Sequence, residues 1–380
     1  MNNIIQQSLD LTKEVLLKEK EQNHIVSCSV SGGADSDILI DLCERTIPHY
    51  VNYVFFNTGI EYQATKTHLD WLENHYGIII KRYNAKVPVP LGNKKYGVPF
   101  LSKQVSEYIA RLQRNNFEWK DDSFEELYKK YPNCKSALTW WCNQYGDKSS
   151  FNISRNTWLK EYLIKNPPKF RISNKCCDGA KKYTSDYYMK EFPTDLFIIG
   201  IRKAEGGQRA TRYSEQYYYN KQHKVNHFLP ILYFTDDDRK EYEDIYGIAH
   251  SNCYTEYGLK RTGCAGCPYG QNYNFERKII EDHEPKLSKA ITNMWSQVYD
   301  YTDKYHEFQR LMNIKYKTNK KCDCGCTEFD GDTVAMNLKF LGRNTTKIFC
   351  KKCLQERLKM SNKEWDQIIN DFKTQGCVLF

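Results

Sequence analysis

An α/β fold, a parallel sheet with helices on both faces, is what this 380-residue sequence predicts. Three observations carry the prediction. Short β-rich runs alternate with helical segments through the first 83 residues, the pattern of strands joined by crossover helices. The first run ends on Ser31-Gly32-Gly33 and passes at once into a helix. Strand signal then returns at DLFIIGI (195–201) and near FLPILYF (228–234). A helical insertion and a small cysteine-rich module near the C-terminal end are expected beside the sheet.

The elements follow in order. Residues 1–22 read as an amphipathic, charged helix without a signal-peptide core. HIVSCSV (24–30) is the first strand, and the helix from Asp35 to about Arg45 places Ile38, Leu39, Leu42 and Cys43 on one face. VNYVFF (51–56) ends at Asn57-Thr58-Gly59, a helix spans roughly 62–76, and IIIKRY (78–83) is the third strand. Residues 86–99, rich in Pro and Gly, read as a loop. The stretch at about 101–166 reads as several helices forming an insertion or lid-like subdomain. Thr235, followed by Asp236, Asp237 and Asp238, supplies a helix N-cap with acidic residues that suit the helix dipole. A long helical stretch covers about 276–312. The domains expected are 1–22, a helix; 23–275, the α/β domain with its insertion; 276–319, a helical linker; and 320–380, the cysteine module plus a terminal helix.

Composition narrows the class. Hydrophobic content of 40% and aromatic content of 14% fit a folded protein of this length, with one large core and a satellite. No apolar run reaches the ~18 residues a membrane helix needs, so a soluble, cytoplasmic protein with no membrane partner is expected. The net charge of +9 is compatible with phosphorylated ligands or nucleic acid, and equally with a solvated surface. Among 29 tyrosines, the run Tyr217-Tyr218-Tyr219 could stack on bases, though packing or snorkelling at the surface is the better reading.

The strand–Ser31-Gly32-Gly33-Ala34-Asp35-Ser36–helix arrangement has a physical purpose. Paired glycines allow a tight turn and close approach of a ligand to the backbone. The helix that follows aims unsatisfied N–H groups and a positive dipole end at an anion. The hydroxyls of Ser29, Ser31 and Ser36 can add hydrogen bonds to phosphate oxygens. The bland alternative is a βα turn with a capping Ser or Asp. The motif is not a Walker A loop, which ends in Gly-Lys-Ser/Thr.

This hexapeptide resembles the PP-loop (SGGxDS) of ATP pyrophosphatases and sulfonucleotide reductases, which have the adenine nucleotide alpha hydrolase-like fold. The resemblance to the PAPS reductase family continues over about residues 22–270. FFNTGIEYQATKTHLDWL is similar to that family's strand-end Asp-Thr-Gly segment, placing Asn57, Thr58 and Gly59 beside Gly32, Gly33, Asp35 and the serines at the nucleotide. GIRKAEGGQRA is similar to its Gly-x-Arg-x-x-Glu-x-x-x-Arg segment, placing Arg202, Glu205 and Arg209 at the substrate's anionic end. FLPILYFTDDD is similar to its Pro-x-x-x-Trp-Thr turn, with Phe234 where Trp is usual. Ala34 stands where members often have Lys, Asn57 where Asp is usual, and Ala64 where Glu is usual. Guanidinium groups suit sulfate and phosphate through bidentate, charge-assisted bonds, although surface salt bridges with Glu205 or other acids are the plain alternative.

Fifteen cysteines without an export signal point to metal chemistry rather than disulfides. Cys176-Cys177 and Cys264-x-x-Cys267 resemble the ligands of a [4Fe-4S] cluster in APS reductases, one branch of the family. Zinc is the runner-up, buried inert thiols the alternative for Cys176 and Cys177, and Cys253 a spare ligand. The tail pairs Cys322-x-Cys324 and Cys350-x-x-Cys353 read as a zinc ribbon, two knuckles around β-prone sequence holding Zn2+, with Cys326 a bystander or substitute. Cys377 admits three readings: a tail nucleophile, a prenylation site, or an ordinary terminal cysteine.

The resemblance implies an enzyme of sulfur metabolism acting on PAPS or APS, an oxidoreductase drawing on a thiol donor such as thioredoxin. It also allows an ATP pyrophosphatase that uses Mg2+ and adenylates DNA or tRNA for sulfur insertion. A non-catalytic nucleic-acid-binding or complex-forming protein on the same fold is the third expectation.

Overall fold

Six strands form one sheet in the order β3-β2-β1-β4-β6-β5. They are β1 (Val26–Val30), β2 (Asn52–Asn57), β3 (Ile80–Asn84), β4 (Leu196–Ile199), β5 (Tyr217–Asn220) and β6 (Val225–Phe228). The computed structural model describes residues 3–375 except 148, 271, 318–321, 328, 343–344 and 346, with the backbone alone for 208–209 and 314–317. All pairings are parallel except the β5–β6 hairpin at one edge. Strand β1 sits in the middle, with Ser29 opposite Val54 on one side and Ile199 on the other.

The pleat explains why the sheet is covered on both faces. Alternate side chains point opposite ways along a strand. Val26, Cys28, Val30, Tyr53, Phe55, Leu196 and Ile198 therefore fall into one core with Ile38, Leu39 and Leu42 of helix α2 (Ala34–Thr46) and Leu69 and Leu72 of helix α3 (Gln63–Tyr76). Helix α1 (Asn3–Glu21) adds Ile5 and Leu16 to that core. The opposite face carries Val54, Tyr83 and Phe197 under Tyr188, from the helix Tyr183–Glu191.

By its contacts the chain divides into two units, Met1–Pro99 with Ser173–Met294, and Phe100–Ile172 with Trp295–Phe380. The first holds the sheet. The second holds the helices Lys103–Arg114, Phe124–Lys130, Lys135–Trp141 and Leu159–Lys165, with Phe117, Trp119 and Trp141 in edge contact. No helix of the described residues is long and apolar enough to cross a membrane.

Four local expectations need correcting. The Pro- and Gly-rich stretch 86–99 contains helix α4 (Val89–Tyr96), because Pro88 precedes it and Pro90 fits the first turn, where an N–H has no helical partner. The strand near 228–234 lies upstream as β6; Pro230 has no N–H for a ladder, and residues 229–234 turn, with Leu232 and Phe234 bonding back to Leu229 and Ile231. Phe228, Leu229, Ile231, Leu232 and Phe234 of that run are buried all the same. The single helical stretch 276–312 is two helices, Tyr273–His283 and Pro285–Lys317, broken ahead of Pro285. Finally, β5 was not expected at all.

Between the tail knuckles the β-prone sequence is helical. Asp330 accepts a hydrogen bond from the Thr333 amide at 2.6 Å and starts the helix Gly331–Phe340, and Cys350 precedes the helix Lys351–Leu358. No strand occurs among the described residues of this module. Met336, Phe349, Leu354 and Trp365 form a small core against Cys322.

Candidate active site at the strand ends

Strand β1 is followed by β2 on one side and, after the long excursion through β3, by β4 on the other. This reversal is a topological switch point, where ligands of open α/β sheets sit beyond the carboxyl ends of the strands. Ser31-Gly32-Gly33 occupies that point. Gly32 adopts φ +65°, and a Cβ there would stand 2.7 Å from Thr65 Cγ2, so only glycine fits without displacement. Ser36 turns its hydroxyl inward. The amides of Ser31 and Gly33 donate to it at 3.2 and 3.1 Å, and it donates to the Gly33 carbonyl at 2.7 Å. Ser36 thus shapes the turn, whereas Ser31 is exposed and Ser29 half-buried at the end of β1.

The loop after β2 is ordered by a residue that sequence reasoning passed over. The buried Glu61 carboxylate accepts from the amides of Thr58, Gly59 and Ile60 and from the Thr58 hydroxyl at 2.5 Å. Asn57 spans the ends of β2 and β3, donating to Asn84 at 2.9 Å and accepting from the Gly59 amide at 3.0 Å. The Ile-Glu pair after Thr-Gly was the available signal, since a carboxylate three residues after a Thr is a natural capping partner.

At the end of β4, Arg202 is buried and already engaged. Its Nε donates to Asp35 at 2.9 Å and its guanidinium Nη1 to Asp236 at 2.9 Å. Burial raises the Asp35 carboxyl above its ordinary range, while the charge of Arg202 pulls it back and Glu205 pushes it further up. Arg209 lies on the short helix Gly207–Arg212, its side chain outside the described part. Cys377 lies outside the described residues.

Beneath α2, a second charge network appears that the sequence did not announce. The fully buried Asp37 lies 3.0 Å from His68 and accepts from or pairs with His250 at 2.8 Å, while the other His250 nitrogen is 3.2 Å from Glu243. Burial lowers the His250 pKa, but Asp37 and Glu243 outweigh it and bring it up to about 9, so the ring is an imidazolium at neutral pH.

The thiols form two sets. In the first unit, Cys176 and Cys177 lie on the short helix Lys175–Cys177, which passes into a π-helical segment, Asp178–Lys182, a distortion frequent at functional sites. The Cys177 hydrogen bond, burial, and the nearby Cys177, Cys267 and Cys264 all push the Cys176 thiol up. Burial raises Cys264 as well, against Lys181 and Thr58, and burial with Cys264 and Cys177 brings Cys267 up to about 12. Cys264 Sγ is 3.6 Å from Thr58 Oγ1, and the Ala265 amide donates to the Ile60 carbonyl at 2.9 Å. The knuckle therefore abuts the loop after β2 that neighbours the glycine turn. Cys253 lies elsewhere, its sulfur 3.6 Å from Thr65 Oγ1.

In the second unit, the ligand atoms of Cys322, Cys324, Cys350 and Cys353 all lie within 4.8 Å of one another. Tetrahedral Zn–S bonds of about 2.3 Å require sulfurs roughly 3.8 Å apart, and Cys324 and Cys350 are 3.7 Å apart. Burial raises the Cys322 thiol, but hydrogen bonds from the Cys324 and Cys350 backbone and from Cys324 and Cys353 outweigh it and bring it down to about 7. Cys326 is outside this group; its carbonyl accepts from the Cys322 amide at 2.9 Å.

Residues 25–269 match the model of the phosphoadenosine phosphosulfate reductase domain. A curated relative, the uncharacterized protein MJ0066 of Methanocaldococcus jannaschii, is 27% identical over 149 residues, which is 36% of this chain and only 27% of that protein. Three solved structures are similar. A phosphoadenylyl-sulfate (PAPS) reductase from Candida auris, in a phosphate complex, is 14% identical with a TM-score of 0.37, covering 70% of this chain and 96% of that one. An NH3-dependent NAD synthetase from Campylobacter jejuni is 14% identical with a TM-score of 0.32, covering 79% and 96%. The U34-tRNA thiolase NcsA from Methanococcus maripaludis, with its [4Fe-4S] cluster, is 13% identical with a TM-score of 0.30, covering 84% and 85%.

Proposed function

The chain belongs to the phosphoadenosine phosphosulfate reductase domain family, and from that premise we propose that it is a PP-loop enzyme of sulfur metabolism. It binds an adenine nucleotide with its phosphates on the Ser31–Ser36 turn and acts at the phosphate or sulfonate end. The observation that carries this reading is the 3.6 Å approach of Thr58 to Cys264, which sets the Cys264–Cys267 knuckle against the loop at the nucleotide crevice.

Cys176, Cys177, Cys264 and Cys267 suit a [4Fe-4S] cluster. As free thiols Cys176, Cys264 and Cys267 are pushed up by burial and by neighbouring thiols, a cost that a cationic iron core relieves. The adjacent pair Cys176-Cys177 is an awkward chelate for one tetrahedral zinc, which favours iron over zinc. Held by Cys176, Cys177, Cys264 and Cys267, a bound cluster would shape the electrostatics of the site beside the substrate.

In a sulfonucleotide reductase-like reaction, a thiolate attacks the sulfonate sulfur. The S–O bond to the nucleotide phosphate breaks, its electron pair leaves with the nucleotide, and an S-sulfonated cysteine results. A second thiol, on a protein donor of the thioredoxin kind, attacks that cysteine's sulfur and releases sulfite as a disulfide forms. Cys377 is the candidate nucleophile, with Arg202 and Arg209 toward the sulfonate.

The second reading is an ATP pyrophosphatase that adenylates DNA or tRNA for sulfur insertion, with Mg2+ at the phosphates. It is favoured by the engagement of Arg202, whose Nε and Nη1 are paired with Asp35 and Asp236, so that two carboxylates stand beside the guanidinium that a sulfonate would approach. Anaerobically purified protein separates the two. Sulfite from PAPS or APS with a thiol donor supports reduction, and pyrophosphate from ATP supports adenylation. Adenine nucleotides and pyrophosphate giving no heat in calorimetry would overturn both.

A further inference from the structure

One side chain joins the phosphate turn to the thiol knuckle. Tyr254, on the short helix Asn252–Thr255, places its hydroxyl 3.3 Å from the Ala34 amide, which donates to it at the first residue of α2. The Thr262 amide donates to the same oxygen at 3.3 Å, two residues before Cys264. The contact with the turn is close. A Cβ on Gly33 would stand 3.1 Å from the Tyr254 oxygen and 2.9 Å from Thr262 Oγ1. The neighbouring Cys253 is buried against Thr65, and the Tyr254 ring lies 5.8 Å from that of His250, itself anchored on Asp37. The phenol is therefore held in place from both sides.

The position matters because the first amides of a helix are those an anion takes. We propose that Tyr254 is a positioning residue that stands in for a phosphate oxygen: phosphate binding exchanges its hydroxyl at the Ala34 amide and frees the Thr262 segment leading to Cys264. The inference rests on the reading that phosphate sits on this turn. The exchange is favourable because a charge-assisted bond to a phosphate oxygen is roughly twice as strong as one to a neutral hydroxyl. Ala34 has no side chain long enough to reach the phosphate, so the backbone amide that Tyr254 covers is its contribution there.

Two measurements on the full chain, isolated anaerobically, test this. The first is calorimetric titration of inorganic pyrophosphate into wild type and Tyr254→Phe. Removing one competing hydrogen bond, worth about 1 kcal/mol, tightens binding about fivefold. The second follows amide hydrogen exchange of the peptide from Thr262 to Cys264 in wild type and Tyr254→Phe, by mass spectrometry, with and without pyrophosphate. Pyrophosphate speeds it severalfold in wild type and has no effect in Y254F. Unchanged or weaker pyrophosphate binding in a folded Y254F overturns the proposal. So does wild-type exchange in that segment that pyrophosphate leaves unchanged or slows, a result that stands even if the variant misfolds. Pyrophosphate binding to neither protein overturns the phosphate-site reading itself, and this inference with it.

Discussion

Arg202 donates through Nε to Asp35 at 2.9 Å, joining the end of β4 to the first turn of the helix that follows the glycine turn. The arginine side chain is 4% exposed and Asp35 21%. Truncating one partner of a fully buried pair costs about 3–5 kcal/mol; because Asp236 is 78% exposed, Arg202→Ala is expected to cost about 2 kcal/mol in urea unfolding. It also leaves two carboxylates unneutralised at the crevice, so pyrophosphate affinity falls about tenfold or more by calorimetry, a loss of charged hydrogen bonding. Arg202→Lys keeps the charge without the fork and falls between.

His250 sets a pH dependence. Its folded pKa of about 9 exceeds the ordinary 6.5, so its contribution is fully present below about pH 6.5 and is lost as pH rises through 9. The size is on the order of 3 kcal/mol. Chemical denaturation of wild type between pH 6 and 10 should show this decline, and His250→Gln should flatten it. An equally steep decline in the variant would refute the assignment.

Gly32 of the turn differs from other left-handed glycines. Gly32→Ala combines a positive φ with a Cβ 2.7 Å from Thr65 Cγ2, and should cost about 3 kcal/mol. Gly247→Ala, at the end of the helix Asp236–Tyr246 with φ +64° and nothing within 4 Å of its Cβ, should cost about 1 kcal/mol. Thermal melts of the two variants compare them directly.

The tail quartet predicts a metal count. Serine at Cys322, Cys324, Cys350 or Cys353 should remove one bound zinc, read by mass spectrometry of the metal, and loosen the core around Trp365. Cys326→Ser should leave the zinc in place. Zinc lost equally from the Cys326 variant would redraw the ligand set.

Much of this was legible because it is local. The strand ending at Val30, the glycine pair and the helix from Ala34 are contiguous, and the two tail knuckles read from their spacing alone. What escaped is what depends on distant partners. The strand Tyr217–Asn220 is short and only half-buried, so its alternation is weak. Tyr62 offers no side-chain cap for α3, and the carboxylate that takes the Gln63 amide at 2.8 Å is Glu284, 221 residues away.

The amino-acid pattern alone determined the crossover architecture, the turn at the end of β1, and which cysteines occur as pairs, since backbone preference and hydrophobic period act over a few neighbouring residues. Tertiary structure decided which acids occupy Arg202, that Asp37 is shared between two histidines, and that a tyrosine covers the Ala34 amide. Those are choices among many chemically equivalent partners, and only the order of strands in the sheet brings one of them within bonding distance.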